Sequence, residues 1–151
     1  MKFLRILLLG ITGLTSSFAA NWTGGFSTPD STQIMDSRTF YVIQTPEELA
    51  WFASEVNGGN TAINGMLAND IVLWEDDFSD ETTQWIPIGN EAASAFTGIF
   101  NGNGHAISGL YMNDTIENDT VFAGLFGKVG KGGLLENIQV THASITIHGQ
   151  T

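Results

Sequence analysis

Between residues 96 and 110 the chain reads Phe-Thr-Gly-Ile-Phe-Asn-Gly-Asn-Gly-His-Ala-Ile-Ser-Gly-Leu, two short β-prone runs hinged on Asn101-Gly102-Asn103-Gly104. Glycine takes positive φ without steric cost, so the hinge predicts a tight turn with at least one of Gly102 and Gly104 left-handed. Most of the chain has the same character. Thr39-Phe40-Tyr41-Val42-Ile43 is β-branched and aromatic, and Ile71-Val72-Leu73 follows Asn69-Asp70. Residues 105–111 leave the turn as a strand, and residues 123–129 run into Gly130-Lys131-Gly132-Gly133. Residues 135–140 and 143–147 read as the last two strands. Strands this short, with glycine-rich corners, suit a sandwich, a barrel or a β-helix.

One helix interrupts the pattern. Thr45 is a good N-cap, Pro46 sits at the first helical position and Glu48 completes a capping box. Leu49, Phe52, Ala53 and Val56 share one apolar face, and Asn57-Gly58-Gly59 stops the helix. The spacing predicts a helix over 46–57 that caps the N-terminal end of a β stack. Leu49, Phe52 and Val56 would be buried, and Glu47, Glu48 and Glu55 would face water.

Four segments share a local form in which a polar residue or Ala leads into Ile and a second apolar residue follows: 69–73, 105–110, 136–140 and 142–147. Ile71, Ile107 and Ile138 are spaced like the inner positions of stacked coils with inserted loops. The pattern therefore favours a mainly β, parallel β-helix-like solenoid with one N-terminal capping helix, with a β-sandwich as the alternative.

The first residues have the parts of a secretory signal: Lys2 and Arg5, an apolar stretch over 3–14, and Ser17-Phe18-Ala19 before a cut after Ala19. That stretch is shorter than the roughly 20 apolar residues that span a bilayer, so cleavage and no membrane insertion afterwards are expected. The expected organisation is a signal over 1–19, a polar, turn-rich leading segment over 20–37 and one β domain over 38–151. Formal net charge is −11, and beyond the signal only Arg38, Lys128 and Lys131 oppose sixteen acids. Such a polyanion repels nucleic acid and anionic lipid. Without cysteine there are no disulfides and no thiolate zinc sites, so stability rests on burial and backbone ladders.

The segment 96–110 resembles the stretch that precedes the repeat in GLUG-motif proteins, and Gly124-Leu125-Phe126-Gly127 carries the namesake Gly-Leu-any-Gly. Residues 128–138, Trp85-Ile86-Pro87-Ile88-Gly89 and the Pro46-Glu47-Glu48-Leu49 helix opening are also similar to that family, so the resemblance covers roughly 41–147. It implies a right-handed β-helix-like scaffold of bacterial secreted or cell-surface proteins, including adhesin-like chains. Gly102, Gly104, Gly124, Leu125 and Gly127 are its structural motif residues, and His105 sits at a position that looks structural in the family. Relatives usually carry several repeats, whereas this chain holds one GLUG unit.

Candidate chemistry is sparse. The acidic loop over 75–84 makes Asp76, Asp77 and Asp80 a candidate calcium site, although the spacing is not that of an EF-hand. No other cofactor is expected. Trp74, beside that loop, is the candidate for stacking on a glycan, while Trp51 and Trp85 are expected in the core. His142 and His148 lie on one strand face but too far apart to chelate together, and no His-Glu-x-x-His is present. No catalytic residues stand out.

The expected function is a non-catalytic, exported, adhesin-like scaffold presenting loops to a glycan, matrix or surface protein. The alternatives are a carbohydrate-active β-helix enzyme (polysaccharide lyase or glycoside hydrolase) or the N-terminal part of a longer surface protein. With Ile145 and Ile147 inward and only Gly149-Gln150-Thr151 beyond the last strand, the chain is expected to be partial or to self-associate end to end.

Overall fold

The computed structural model describes residues 20–116 and 120–149. The expected signal over 1–19 lies outside them. In chain order the elements are β1 (Thr32–Met35), β2 (Arg38–Ile43), α1 (Pro46–Asn57), β3 (Asn64–Leu67), β4 (Ile71–Val72), β5 (Ile99–Asn101), β6 (Ala106–Thr115), β7 (Leu134–Glu136) and β8 (Gln139–His148). Two open sheets result, ordered β1-β2-β3-β5-β7 and β4-β6-β8. β1 runs antiparallel to β2, and every other strand pair is parallel. The described residues are mainly β with one α-helix.

Parallel neighbours need long connections; α1 joins β2 to β3, and each later connection visits the other sheet. β3 leads into β4, β5 into β6 and β7 into β8, so each pair of strands lies beside the pair before it. Gly65 faces Phe100 and Phe100 faces Leu135 in the first sheet, while Ile71 faces Ile107 and Ile107 faces Val140 in the second. The pairing of Ile71 with Ile107 matches the sequence spacing. The next step does not, because Val140 and not Ile138 stacks on Ile107.

That shift comes from a corner the sequence hid. Residues 135–140 read as one strand, yet Asn137 takes φ 53° and the chain turns there, leaving β7 and β8 in different sheets. Gly102 lies directly beneath. A Cβ on Gly102 would stand 2.1 Å from the Asn137 carbonyl oxygen, so only glycine lets this corner settle. No break follows at 141–142, and the run read as 143–147 is the continuation of β8. His142 instead takes φ 46° opposite Gly109 at φ 78°, a left-handed kink repeated in adjacent strands. In the hinge Gly104, with φ 80°, takes the positive φ expected of a glycine there, and Asn103 joins it at φ 51°.

Other boundaries moved for similar reasons. Residues 96–100 are not one strand. Gly98 packs against the Ile63 carbonyl and turns the chain, so that Phe96 bonds through its N–H to the Lys128 carbonyl at 2.9 Å while β5 starts at Ile99. Residues 123–129 form no strand but make two parallel bridges, Ile88 with Phe126 and Phe96 with Val129. β1 and β3 have weak β signals and were not anticipated. β1 falls inside the polar leading segment, which also sends Trp22 into the core, where its backbone N–H donates to the Leu73 carbonyl at 2.9 Å.

The helix forms as expected, with both halves of the capping box made by Thr45 and Glu48. Leu49, Phe52 and Val56 are fully buried. Glu48 is buried too, contrary to the expectation that it faces water. Its carboxylate reaches back to the N–H groups of Gln44 and Thr45, at 2.6 and 3.2 Å, which compensates its loss of water. Phe52 meets the rings of Phe96 and Phe100, and Phe126 closes the group, with centroids 5.3 to 5.9 Å apart. The helix is tied to the next turn of chain by Asn57, whose amide donates to the Pro87 carbonyl and accepts from Gly89 and Asn90.

Candidate functional site

The residues singled out in the sequence fall into three places. The first is the corner that holds the Gly-Leu-any-Gly. Leu125 is buried, its carbonyl accepts from the Ile88 N–H at 3.0 Å and from the Trp85 indole at 3.2 Å, and the Gly127 N–H donates to the Ile88 carbonyl at 2.9 Å. The two motif-like segments, 85–89 and 124–127, therefore lie side by side. Gly124 takes φ 125°, and a side chain on Gly127 would meet the Gly89 carbonyl at 2.7 Å. Gly127 and Gly102 allow a close approach of backbone, whereas Gly124 and Gly104 take positive φ.

A ladder of polar side chains runs over the stacked strands. The Asn64 carbonyl oxygen accepts from the Ile99 N–H, the Asn101 amide donates to Glu136, and the Asn137 amide donates to the Asn101 carbonyl oxygen. Asn103 reaches the Leu67 carbonyl, Thr97 reaches Thr61, and His148 meets Asn113. Each of these pairs is separated by 35 or 36 residues. Asp70 and His105 belong to the same ladder, with Nδ1 and Oδ1 3.2 Å apart and the Ala106 N–H donating to the same oxygen. The Ala106 bond first, and the His105 ring second, hold the Asp70 carboxyl below its ordinary pKa. His105 is thus held by a neighbouring turn's side chain.

The acidic loop is the third place. It folds back over the second sheet, where Phe78 stacks between Tyr111 and His142 at centroid distances of 5.5 and 4.6 Å. His142 Nε2 lies 3.1 Å from the Asp76 carbonyl oxygen. The Asp76 side chain accepts from Asn21, whose carbonyl oxygen takes the Glu75 N–H. Asp76, Asp77 and Asp80 are all exposed, and among the described residues no three carboxylate or imidazole groups gather closely enough to hold a metal ion. Trp74 is half-buried, with its indole N–H 3.4 Å from the Asp77 carbonyl. Trp85 and Trp22 are core residues, and Trp51 packs edge-on against Tyr41. Phe78 carried no sequence signal, because its partners come from two distant strands.

A cleft of about 360 Å³ was also not foreseen. It lies between the helix and the leading segment, lined by Trp22, Phe26, Ala50, Ala53, Trp85 and Ile86 among others. Phe26 and Ile86 stand exposed at its rim.

Two relatives match part of the chain. A Gly-rich membrane protein of Evansella cellulosilytica is 43% identical over 65 residues, covering 43% of this chain and 7% of that protein. Halomucin of Haloquadratum walsbyi is 45% identical over 60 residues, covering 40% of this chain and 1% of halomucin. The chain thus spans under a tenth of the length of either relative. No family model matches it, and no solved structure does. Among the described residues no helix is long and apolar enough to cross a membrane.

Proposed function

We propose that the chain is a surface-associated, non-catalytic scaffold: a parallel β-helix of the GLUG type whose coils carry loops that bind a glycan, matrix or surface protein. The observation that carries this is the ladder of side-chain bonds between residues 35 or 36 apart, which recurs along both sheets and the corners between them. Paired residues of neighbouring parallel strands lie 33 to 36 positions apart from β3 onward and 24 apart between β2 and β3, the loose period of a solenoid with inserted loops, in which each coil buries its inner face only on the next. The pairing of segment 85–89 with 124–127 supports the GLUG assignment, because it gives the motif a role as a stacked corner. The names of the two relatives support a surface setting for an exported chain.

The loop over 75–84, with Trp74 at its base, is the surface offered to the partner. Its density of carboxylates suits a polar, hydroxyl-rich ligand approached through calcium or water, with the indole face under a sugar ring. The exported chain should be applied to immobilised polysaccharides and matrix proteins, with and without calcium, and the soluble polymers recovered for chain-length measurement. Retention that is lost in Trp74→Ala, with polymer length unchanged, is the expected result. New reducing ends or unsaturated sugars would instead mean a polysaccharide-cleaving enzyme.

A further inference from the structure

We propose that the cleft between the helix and the leading segment docks a partner protein through one aromatic side chain of an extended, basic segment. The proposal rests on the reading of the chain as a binding scaffold and gives that scaffold a second surface besides the 75–84 loop. The walls come from three stretches that precede β5 in the chain: Trp22 to Phe26, one face of α1, and the corner that holds Trp85 and Ile86. Ala50, Ala53 and Ser54 make the helix side, and their small side chains leave a hollow of about 360 Å³, room for one aromatic side chain. Phe26 and Ile86 are 67% and 59% exposed at its rim. Large apolar side chains gathered around one apolar hollow mark an interaction site, unlike apolar residues scattered singly over a surface.

The polar groups of the lining are already engaged within the chain. The Trp22 indole N–H donates to the Gly25 carbonyl at 2.7 Å, and the Trp85 indole N–H to the Leu125 carbonyl. The Ser54 hydroxyl donates to the Trp51 carbonyl, and the Asn57 side chain holds the backbone of Pro87, Gly89 and Asn90. A sugar entering here would strip water from its hydroxyl groups and find few partners to replace it, which is costly for each hydroxyl buried. An apolar group has no such loss. Aromatic side chains are the ones that most often anchor in pockets of this kind.

Charge selects what carries the ring. No charged side chain lines the hollow. Glu47 lies one turn before Ala50 on the same helix face, with its Cγ 3.9 Å from where a Cβ would stand on Gly25. On the other side of Ile86, a second cleft shares Trp85, Ile86 and Asn90 with the first and is lined by Gln84, Asp114 and Thr120. Among the described residues the one ion pair joins Asp70 to His105, so the carboxylates of Glu47 and Asp114 have no cation beside them. Lys128 stands 5.7 Å from the ring centroid of Phe122 in the second cleft, a single lysine in a chain of net charge −11. Such a surface attracts positive segments and repels acidic ones. A ligand that fills the first cleft with a ring and continues past Ile86 towards Asp114 is an aromatic residue flanked by lysine or arginine in an extended chain.

The probe is a pentapeptide with blocked ends, Ala-Lys-Phe-Lys-Ala, titrated by calorimetry into the exported chain at low salt. Saturable one-to-one binding is expected, weakened by about tenfold or more when Phe is replaced by Ala. Added salt should weaken it too, by screening the charges, and Ala-Glu-Phe-Glu-Ala should not bind. Ser54→Trp fills the hollow from an exposed helix position. That variant and Ile86→Ser should each lose the peptide while keeping the far-UV circular dichroism spectrum, and Trp74→Ala should bind it as before. No saturable binding at millimolar peptide, equal binding of the Phe and Ala peptides, loss in Trp74→Ala, or displacement of the peptide by soluble polysaccharide overturns the proposal. The two surfaces fail separately. Polysaccharide retention that depends on Trp74, without peptide binding, sinks only the cleft, whereas peptide binding without retention on any polysaccharide or matrix protein sinks only the loop.

Discussion

The first and last strands of the two sheets differ in what lies over them. At the first end, strand β2 is covered by the antiparallel β1, and the apolar surface beside it is sealed by a helix whose Leu49, Phe52 and Val56 are fully buried. At the last strands, β8 repeats the inner residues of β6, and among the described residues Val140 and Ile145 are left exposed. Inward-facing position and burial are therefore separate properties. A residue is buried in a stacked fold only when the next layer is present, and the sequence of a single strand says nothing about that layer.

The largest test of the contrast is Phe52→Ala. The ring fills the space over Gly65 and meets Phe96 and Phe100, so its loss should cost about 3–5 kcal/mol, read from denaturant midpoints. An unshifted unfolding curve would mean the helix does not seal the first end. Gly102→Val comes next. Its side chain would collide with the Asn137 carbonyl, and forcing that corner outward should cost about 1–3 kcal/mol. The loss should appear first as faster amide exchange in β7 and β8, and equal loosening of β2 and β3 would contradict the layered picture.

Thr45→Ala removes the hydroxyl that accepts from the Glu48 N–H at 3.2 Å. About 1 kcal/mol of stability should go with it, as is usual for an N-cap. Ile145→Ala, in β8, should change the stability of this chain by no more than about 0.5 kcal/mol, as for most surface positions. A cost approaching that of Phe52→Ala at low protein concentration would show that something does cover the last strand.

The smallest expected effect is that of acid on Asp70. Its pKa is lowered in the folded chain, so its contribution to stability is fully present above its unfolded value near 3.8 and is lost as pH falls through the lower folded value. The native chain should therefore lose stability more steeply below pH 3.8 than Asp70→Asn does. Parallel acid-unfolding profiles for the two proteins would show that the bonds from Ala106 and His105 do not favour the charged carboxylate.

How much of this was legible depended on how local the cause was. Thr45, Pro46, Glu48 and the apolar face starting at Leu49 determine the helix, because capping and 3.6-residue periodicity act within a dozen residues. The Asn101-to-Gly104 turn and the pairing of Ile71 with Ile107 were also readable, since short turns and β-branched runs declare themselves locally. Tertiary structure decided the rest. The corner at Asn137 exists because Gly102, from the turn between β5 and β6, leaves room for its carbonyl. The cluster of Asp76, Asp77 and Asp80 looked convergent in one dimension, but in the folded chain Asp76 bonds to Asn21 and Phe78 carries the loop over Tyr111 and His142. Local propensity sets which residues can turn or extend, whereas contacts between residues distant in the chain, such as Gly102 with Asn137 and Phe78 with Tyr111, set which of them do.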